Sequence, residues 1–340
     1  MKWEVKRWMQ YLFLVLVFAL AACQPAATPT PSTPKDDVSI QLSWVYTVEY
    51  AGFFAAQEDG DYAAANLNVN LVSGGYDDKG NYIDPIERVT SGQAQLGIIN
   101  GERLLTERAS GKPLVAVATI YQRSPTALIS LAENNITRPQ DLVGKTIAID
   151  LKGTIGPAYL ALLASQGIDP ASVHQVPRTD ISNEPLVSGQ VDVTDAFVTN
   201  QPIQLELAGH KVNTILFSDY GLDTYANVIF TTEDTLANHA DLVERFLRAS
   251  FKGIEAIIAA PERGSKLSTT YNTSLDPAQE AKSMQQSIPL LNPGGSHPGM
   301  MSADVWETTD KILRDQGLLT TDVDVKSAYT LDLLNKIYGS

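Results

Sequence analysis

A cluster of aromatic side chains around one carboxylate stands in the segment Trp44-Val45-Tyr46-Thr47-Val48-Glu49-Tyr50, directly after the alternating stretch 38–42. Trp44, Tyr46 and Tyr50 could stack on a flat ring, because aromatic faces supply large contact area with few rotatable bonds. Glu49 could accept hydrogen bonds from ring N–H or exocyclic amino groups. Ligands of open α/β sheets meet the carboxyl ends of strands, and this loop holds that position. Core packing of the tryptophan and half-burial of the tyrosines is the competing role for any one of them. A turn does not place all of them on one buried face.

Further candidates recur at similar places. Tyr76 sits in Gly74-Gly75-Tyr76-Asp77-Asp78, after a second strand-like run, where a plain acidic turn is the alternative. Asn100 opens a helical segment and can cap it while also facing a ligand. Leu151-Lys152-Gly153-Thr154-Ile155-Gly156-Pro157 joins a strand to a helix. Free N–H groups at a helix start attract anions, but the Gly and Lys spacing is not that of a phosphate loop. Thr154 and Tyr159 are the polar candidates there. Lys152 is the one positive charge noted nearby, which points to a neutral, polar ligand. Asp195 and Asn200 bracket the turn after the run 191–197.

Catalytic patterns are thin. The four histidines, His174, His210, His239 and His297, are scattered, with no His-Glu-x-x-His motif and no Gly-x-Ser-x-Gly elbow. No catalytic residue, cofactor or metal is expected. The net charge of −14 argues against nucleic acid and anionic lipid headgroups as partners.

The elements that must position these residues follow an unusual leader. Lys2, Lys6 and Arg7 precede an apolar run at 11–22, too short for a comfortable membrane span and typical of a signal peptide. Leu20-Ala21-Ala22-Cys23 resembles the bacterial lipobox, which implies cleavage before Cys23 and lipidation of that residue, the sole cysteine. An ordinary secretory signal with an incidental cysteine is the alternative. Residues 23–37 hold four prolines among Ala, Thr and Ser and read as an extended tether. From Val38, strand-like and helix-like runs alternate, then restart at Asp141, as α/β units with mainly parallel sheets do.

Several fragments in order resemble a known family: Leu42-Ser43-Trp44; Ala51-Gly52-Phe53-Phe54-Ala55-Ala56 before Gly60 and Tyr62; VTSGQAQLG from Val89; DLVGKTIAI from Asp141; and Asn227-Val228-Ile229-Phe230 before a long helix. They are similar to the Thi5/NMT1-like and sulfonate group of substrate-binding proteins of ABC importers, over about 38–260. The resemblance implies an α/β, two-lobed periplasmic-binding-protein (type II) fold with mixed, mainly parallel sheets and two crossing strands as hinge. Lobe 1 would comprise 38–121 plus 225–340, and lobe 2 would comprise 122–224. Ligand would lie in the cleft, with Asn100 facing it and Tyr121 and Tyr225 at the crossings. The implied function is an extracytoplasmic, lipid-anchored, monomeric receptor. It would deliver riboflavin, or the aminopyrimidine precursor of thiamine, to permease and ATPase subunits. A sulfonate needs positive charge that these loops lack. Eukaryotic relatives that make the thiamine pyrimidine use a cysteine-rich segment and an active-site histidine, which have no counterpart in the early loops here.

Overall fold

Among the described residues, ten strands arrange as two five-stranded sheets. The computed structural model describes residues 34–321 and 324–339. The leader, Cys23 and most of the Pro-rich tether fall outside them. The first sheet has the order β2-β1-β3-β10-β4, from β1 (Asp36–Gln41), β2 (Leu67–Val72), β3 (Leu96–Ile99), β4 (Leu114–Tyr121) and β10 (Ala226–Thr232). The second has the order β7-β6-β8-β5-β9. Its members are β5 (Thr126–Leu131), β6 (Thr146–Ala148), β7 (His174–Val176), β8 (Val193–Phe197) and β9 (Val212–Leu216). In each sheet one strand, β10 or β5, runs against the other four. The chain passes from one sheet to the other after Tyr121 and returns between Leu216 and Ala226.

Two readings of the sequence need correction. The tether does not extend to residue 37: Asp36 and Asp37 already belong to β1, in register with Leu67 and Asn68. Asp36 also meets Arg245 at 2.7 Å. The second sheet contains a strand, β5, that the restart at Asp141 overlooks. All six of its residues are buried, so it lacks the polar alternation that marks a half-exposed strand.

Apolar burial explains the helices. In Glu233–Ala259, Val243, Phe246, Leu247, Phe251, Ile254 and Ile257 are buried at helical spacing. Thr232 Oγ1 caps it by accepting from Thr235 N, which satisfies one of the free donors of the first turn. This helix crosses Ala51–Glu58 at two glycines: a Cβ on Gly253 would stand 2.0 Å from the Gly52 carbonyl oxygen. The C-terminal segment covers the edge of the first sheet, with Ala116 N bonded to Ala328 O and Thr330 N bonded to Ala116 O, both at 2.9 Å. An uncovered edge would invite pairing with another chain. Trp306 is fully buried and stacks on Tyr329 at 5.5 Å. Among the described residues, no helix is long and apolar enough to cross a membrane.

Candidate functional site

A cleft lies between the two sheets' loops. Ser43, Trp44, Glu49, Tyr76 and Tyr82 line it from the first half, and Asp150, Thr154, Arg178, Asp195, Phe197 and Gln201 from the second. Most of these follow strand ends: Trp44 after β1, Tyr76 after β2, Arg178 after β7, Asp195 within β8.

The sequence places Tyr76 there through a close backbone approach. Gly74 packs so tightly against the end of β1 that a Cβ would lie 2.2 Å from Leu42 O, and Gly74 N donates to Trp44 O. Tyr76 then meets Trp44 edge-on at 6.0 Å and Tyr82 at 5.8 Å. The three rings form an open aromatic box. Burial raises the Tyr76 phenol far above its ordinary range and the Tyr82 phenol to about 12, so both stay protonated donors.

Arg178 closes the box. Its guanidinium carbon lies 5.2 Å from the Trp44 ring centre, within cation–π range. Its Nη1 donates to Asp195 Oδ1 at 2.9 Å and to Asp195 O at 2.8 Å, while Nε donates to Asp180 O. The side chain is 5 % exposed, and buried Nη2 has no protein partner. A free donor at that depth is expensive to leave unmade; a ligand carbonyl or ring nitrogen can take it.

Below the box, Glu49 Oε2 accepts from Asn227 Nδ2 at 3.2 Å. Asn227 has φ +53° inside β10, a left-handed conformation that asparagine tolerates better than most residues. Its N donates to Asn100 Oδ1, and its Oδ1 lies 3.5 Å from Ser43 Oγ. Burial lifts the Glu49 carboxyl to about 7 against the lowering effect of Asn227 and Asn200. Glu280, accepting from Val48 N at 2.9 Å, is likewise raised to about 7 by burial. The halves touch across the cleft where Tyr82 Oη and Thr154 Oγ1 stand 2.9 Å apart.

Of the residues expected from the sequence, Trp44, Glu49, Tyr76, Thr154 and Asp195 line this cleft. Asn200 lines an adjoining groove. Six others lie elsewhere. Tyr46 turns away, donating to Leu71 O and packing edge-on against Phe54. Tyr50 is buried behind the loop, its hydroxyl on Ser43 Oγ and Trp44 N. Asn100 makes no cap bond; Nδ2 donates to Thr126 Oγ1. Tyr121 is fully buried against Ser287. Tyr159 is buried and receives a hydrogen bond from Gln175. Tyr225 accepts from Ser302 N and packs on Trp306. Lys152 is exposed, and Arg178, not expected, is the cation of the cleft. Tyr82 and Gln201 were not expected either. Arg178 follows β7 by two residues, so the strand-end rule that selected Trp44 would have selected it.

Two carboxylates, Asp150 and Asp195, and the Glu49 carboxyl, which keeps its proton to about pH 7, face one guanidinium in this lining. That balance repels an anion and suits a neutral or cationic planar ring with donors and acceptors on its edge. Among the described residues, no cluster of His, Cys, Asp and Glu could hold a metal ion.

The family described as NMT1/THI5 like matches residues 47–264. The riboflavin-binding protein RibY of Chloroflexus aurantiacus is 28% identical, with 94% of this chain and 95% of the relative covered. The formylaminopyrimidine-binding protein of Halalkalibacterium halodurans is 24% identical, with 94% and 96% covered. A 4-amino-5-hydroxymethyl-2-methylpyrimidine phosphate synthase of Legionella pneumophila is 22% identical, with 88% and 92% covered. Among solved structures, the alkanesulfonate-binding protein SsuA of Xanthomonas axonopodis pv. citri, bound to MOPS, superposes with a TM-score of 0.67 at 15% identity. There 88% of this chain and 99% of that one are covered. That likeness shows the periplasmic-binding-protein fold.

Proposed function

The chain belongs to the NMT1/THI5-like family, and we propose that it is the extracytoplasmic solute-binding component of an ABC importer, capturing riboflavin. The aromatic box of Trp44, Tyr76 and Tyr82, with the unpartnered Nη2 of Arg178 at its side, carries this reading. An isoalloxazine ring is flat, neutral and rich in carbonyl and nitrogen acceptors, so it can stack in the box and accept from Arg178. The names of two relatives, which bind riboflavin and formylaminopyrimidine, support the ligand class. A lipid on Cys23 and the Pro-rich tether would hold the receptor beside its permease and leave it free to open and close as a monomer. Hinge closure around the ligand is the expected motion.

The pyrimidine precursor of thiamine is the second reading. The carboxylates of Glu49 and Asp195 could accept from its exocyclic amino group, and the smaller ring also fits the box. The deciding experiment denatures purified protein and records the absorbance and mass of any released molecule, followed by calorimetry with riboflavin and with the aminopyrimidine. Micromolar binding of riboflavin, about 8 kcal/mol, supports the first reading. Aminopyrimidine binding without riboflavin binding supports the second. Chemical conversion of either compound during incubation would show an enzyme instead.

A further inference from the structure

A second hollow adjoins the aromatic box and shares Trp44 and Gln201 with it. Its character differs. Thr47, Asn200, Gln201, Asp276 and Gln279 bring hydroxyl, amide and carboxylate groups to its wall. Thr47 Oγ1 is buried and without a partner. Gln201, 7 % exposed, lines both compartments, and its Oε1 already accepts from Phe197 N, so its remaining polar capacity is as a donor. Gln279 Nε2 donates to Asn200 Oδ1 at 3.1 Å, so the carbonyl oxygen of Gln279 remains available as an acceptor. The wall therefore offers donors and acceptors interleaved over a length, which is the pattern that a chain of hydroxyls satisfies, each hydroxyl being at once donor and acceptor.

We propose that the cleft is a two-compartment site for a planar heteroaromatic ring bearing a polyhydroxylated chain. The ring stacks among Trp44, Tyr76 and Tyr82, and the chain passes the edge of Trp44 into the amide groove. The inference rests on the riboflavin reading above and deepens it, because it assigns the ribityl chain its own contacts. Trp44 serves both compartments, with its face toward Arg178 and its rim at the junction. Gln279 comes from the helix Pro277–Leu291 and Asn200 from the turn after β8, so the groove, like the box, is assembled from both halves of the chain.

The test is calorimetry on the full protein with riboflavin and with lumiflavin, which has the same isoalloxazine ring and a methyl group in place of the ribityl chain. Riboflavin should bind about thirtyfold more tightly, the factor that two neutral hydrogen bonds supply. Gln279→Leu and, separately, Thr47→Val should each lower the ratio of riboflavin to lumiflavin affinity, with circular dichroism melts reporting whether each variant folds. Equal affinities in the wild-type protein overturn the two-compartment assignment and leave the riboflavin reading standing. A ratio that neither folded variant lowers also overturns the assignment alone. Failure of both flavins to bind, or tighter binding of the aminopyrimidine, overturns the riboflavin reading and the assignment together.

Discussion

Arg178 sits over the ring of Trp44 at 5.2 Å and binds Asp195 Oδ1 at 2.9 Å in the same pose. The two residues come from opposite sheets, so the ring and the guanidinium meet only when the halves do. Trp44→Ala therefore removes a stacking surface and the support of a cation at once. Ligand affinity should fall by about thirtyfold or more, in line with the loss of about 2 kcal/mol typical of a central aromatic anchor. Trp44 is only partly buried, so the melting temperature should move little. Unchanged affinity by calorimetry would remove the loop after β1 from the site.

Asp195 neutralises Arg178, and that sets what the cleft rejects. Asp195→Asn keeps the shape but leaves the buried guanidinium uncompensated. The variant should bind small alkanesulfonates more tightly than the wild-type protein does, and calorimetry of both proteins with such an anion reads this directly. Arg178→Leu should instead strand Asp195 and lower stability by about 3 kcal/mol, the scale of a broken buried ion pair. No gain in sulfonate binding by the asparagine variant would show that the neighbouring carboxylates, not Asp195, exclude anions.

The contact between Tyr82 Oη and Thr154 Oγ1, 2.9 Å long, is a latch between halves. Tyr82→Phe keeps the ring in the aromatic box and deletes the latch. One neutral hydrogen bond contributes about 1 kcal/mol, so ligand dissociation should quicken by about fivefold with association nearly constant. Stopped-flow traces distinguish this from a loss of stacking; a slower association with an unaltered off-rate would contradict the latch.

Glu49 and Glu280 hold their protons to about pH 7, against an ordinary value of 4.5, because burial opposes their charge. An unfolded chain releases both protons lower, so between these values the native state binds more protons than the unfolded one. Stability is then fully present below 4.5 and declines as pH rises to about 7. Glu49→Gln keeps the contact with Asn227 and removes the ionisation, so its stability should decline less across that window. Urea midpoints at pH 4.5 and pH 8 test this; a decline as steep as that of the wild-type protein would place the raised carboxyl elsewhere.

The sequence was most legible where one face of an element meets water. β2 alternates buried and exposed along Leu67–Val72, and the long helix repeats its apolar residues at every turn. β5 was hidden although β4, buried along its whole length too, reads as a strand; Thr126 and Ser130 break the apolar run of β5. The site was half legible. Large aromatics at strand ends serve equally well as a core lid or a ligand platform, and Tyr50 and Tyr121 took the first role while Trp44 and Tyr76 took the second. Arg178 follows a strand end that the sequence shows, but an isolated arginine there reads as easily as a surface charge. Asn227, inside the quoted run of the family resemblance, gave no local sign of its left-handed backbone. Its role depends on Ser43, Glu49 and Asn100, which lie far away in sequence.

β10 lies between β3 and β4, pairing Val228 with both Ile99 and Thr119. A nascent chain that has reached Tyr121 thus holds two strands that cannot bond to each other, with a slot one strand wide between them. The slot fills only after the entire second sheet has been made and the chain has come back. Completion of the first half is a late, long-range event, and such closures are slow to form. Until then the flanks of the slot stay unpaired, so the two halves of the chain do not fold one after the other as separate units.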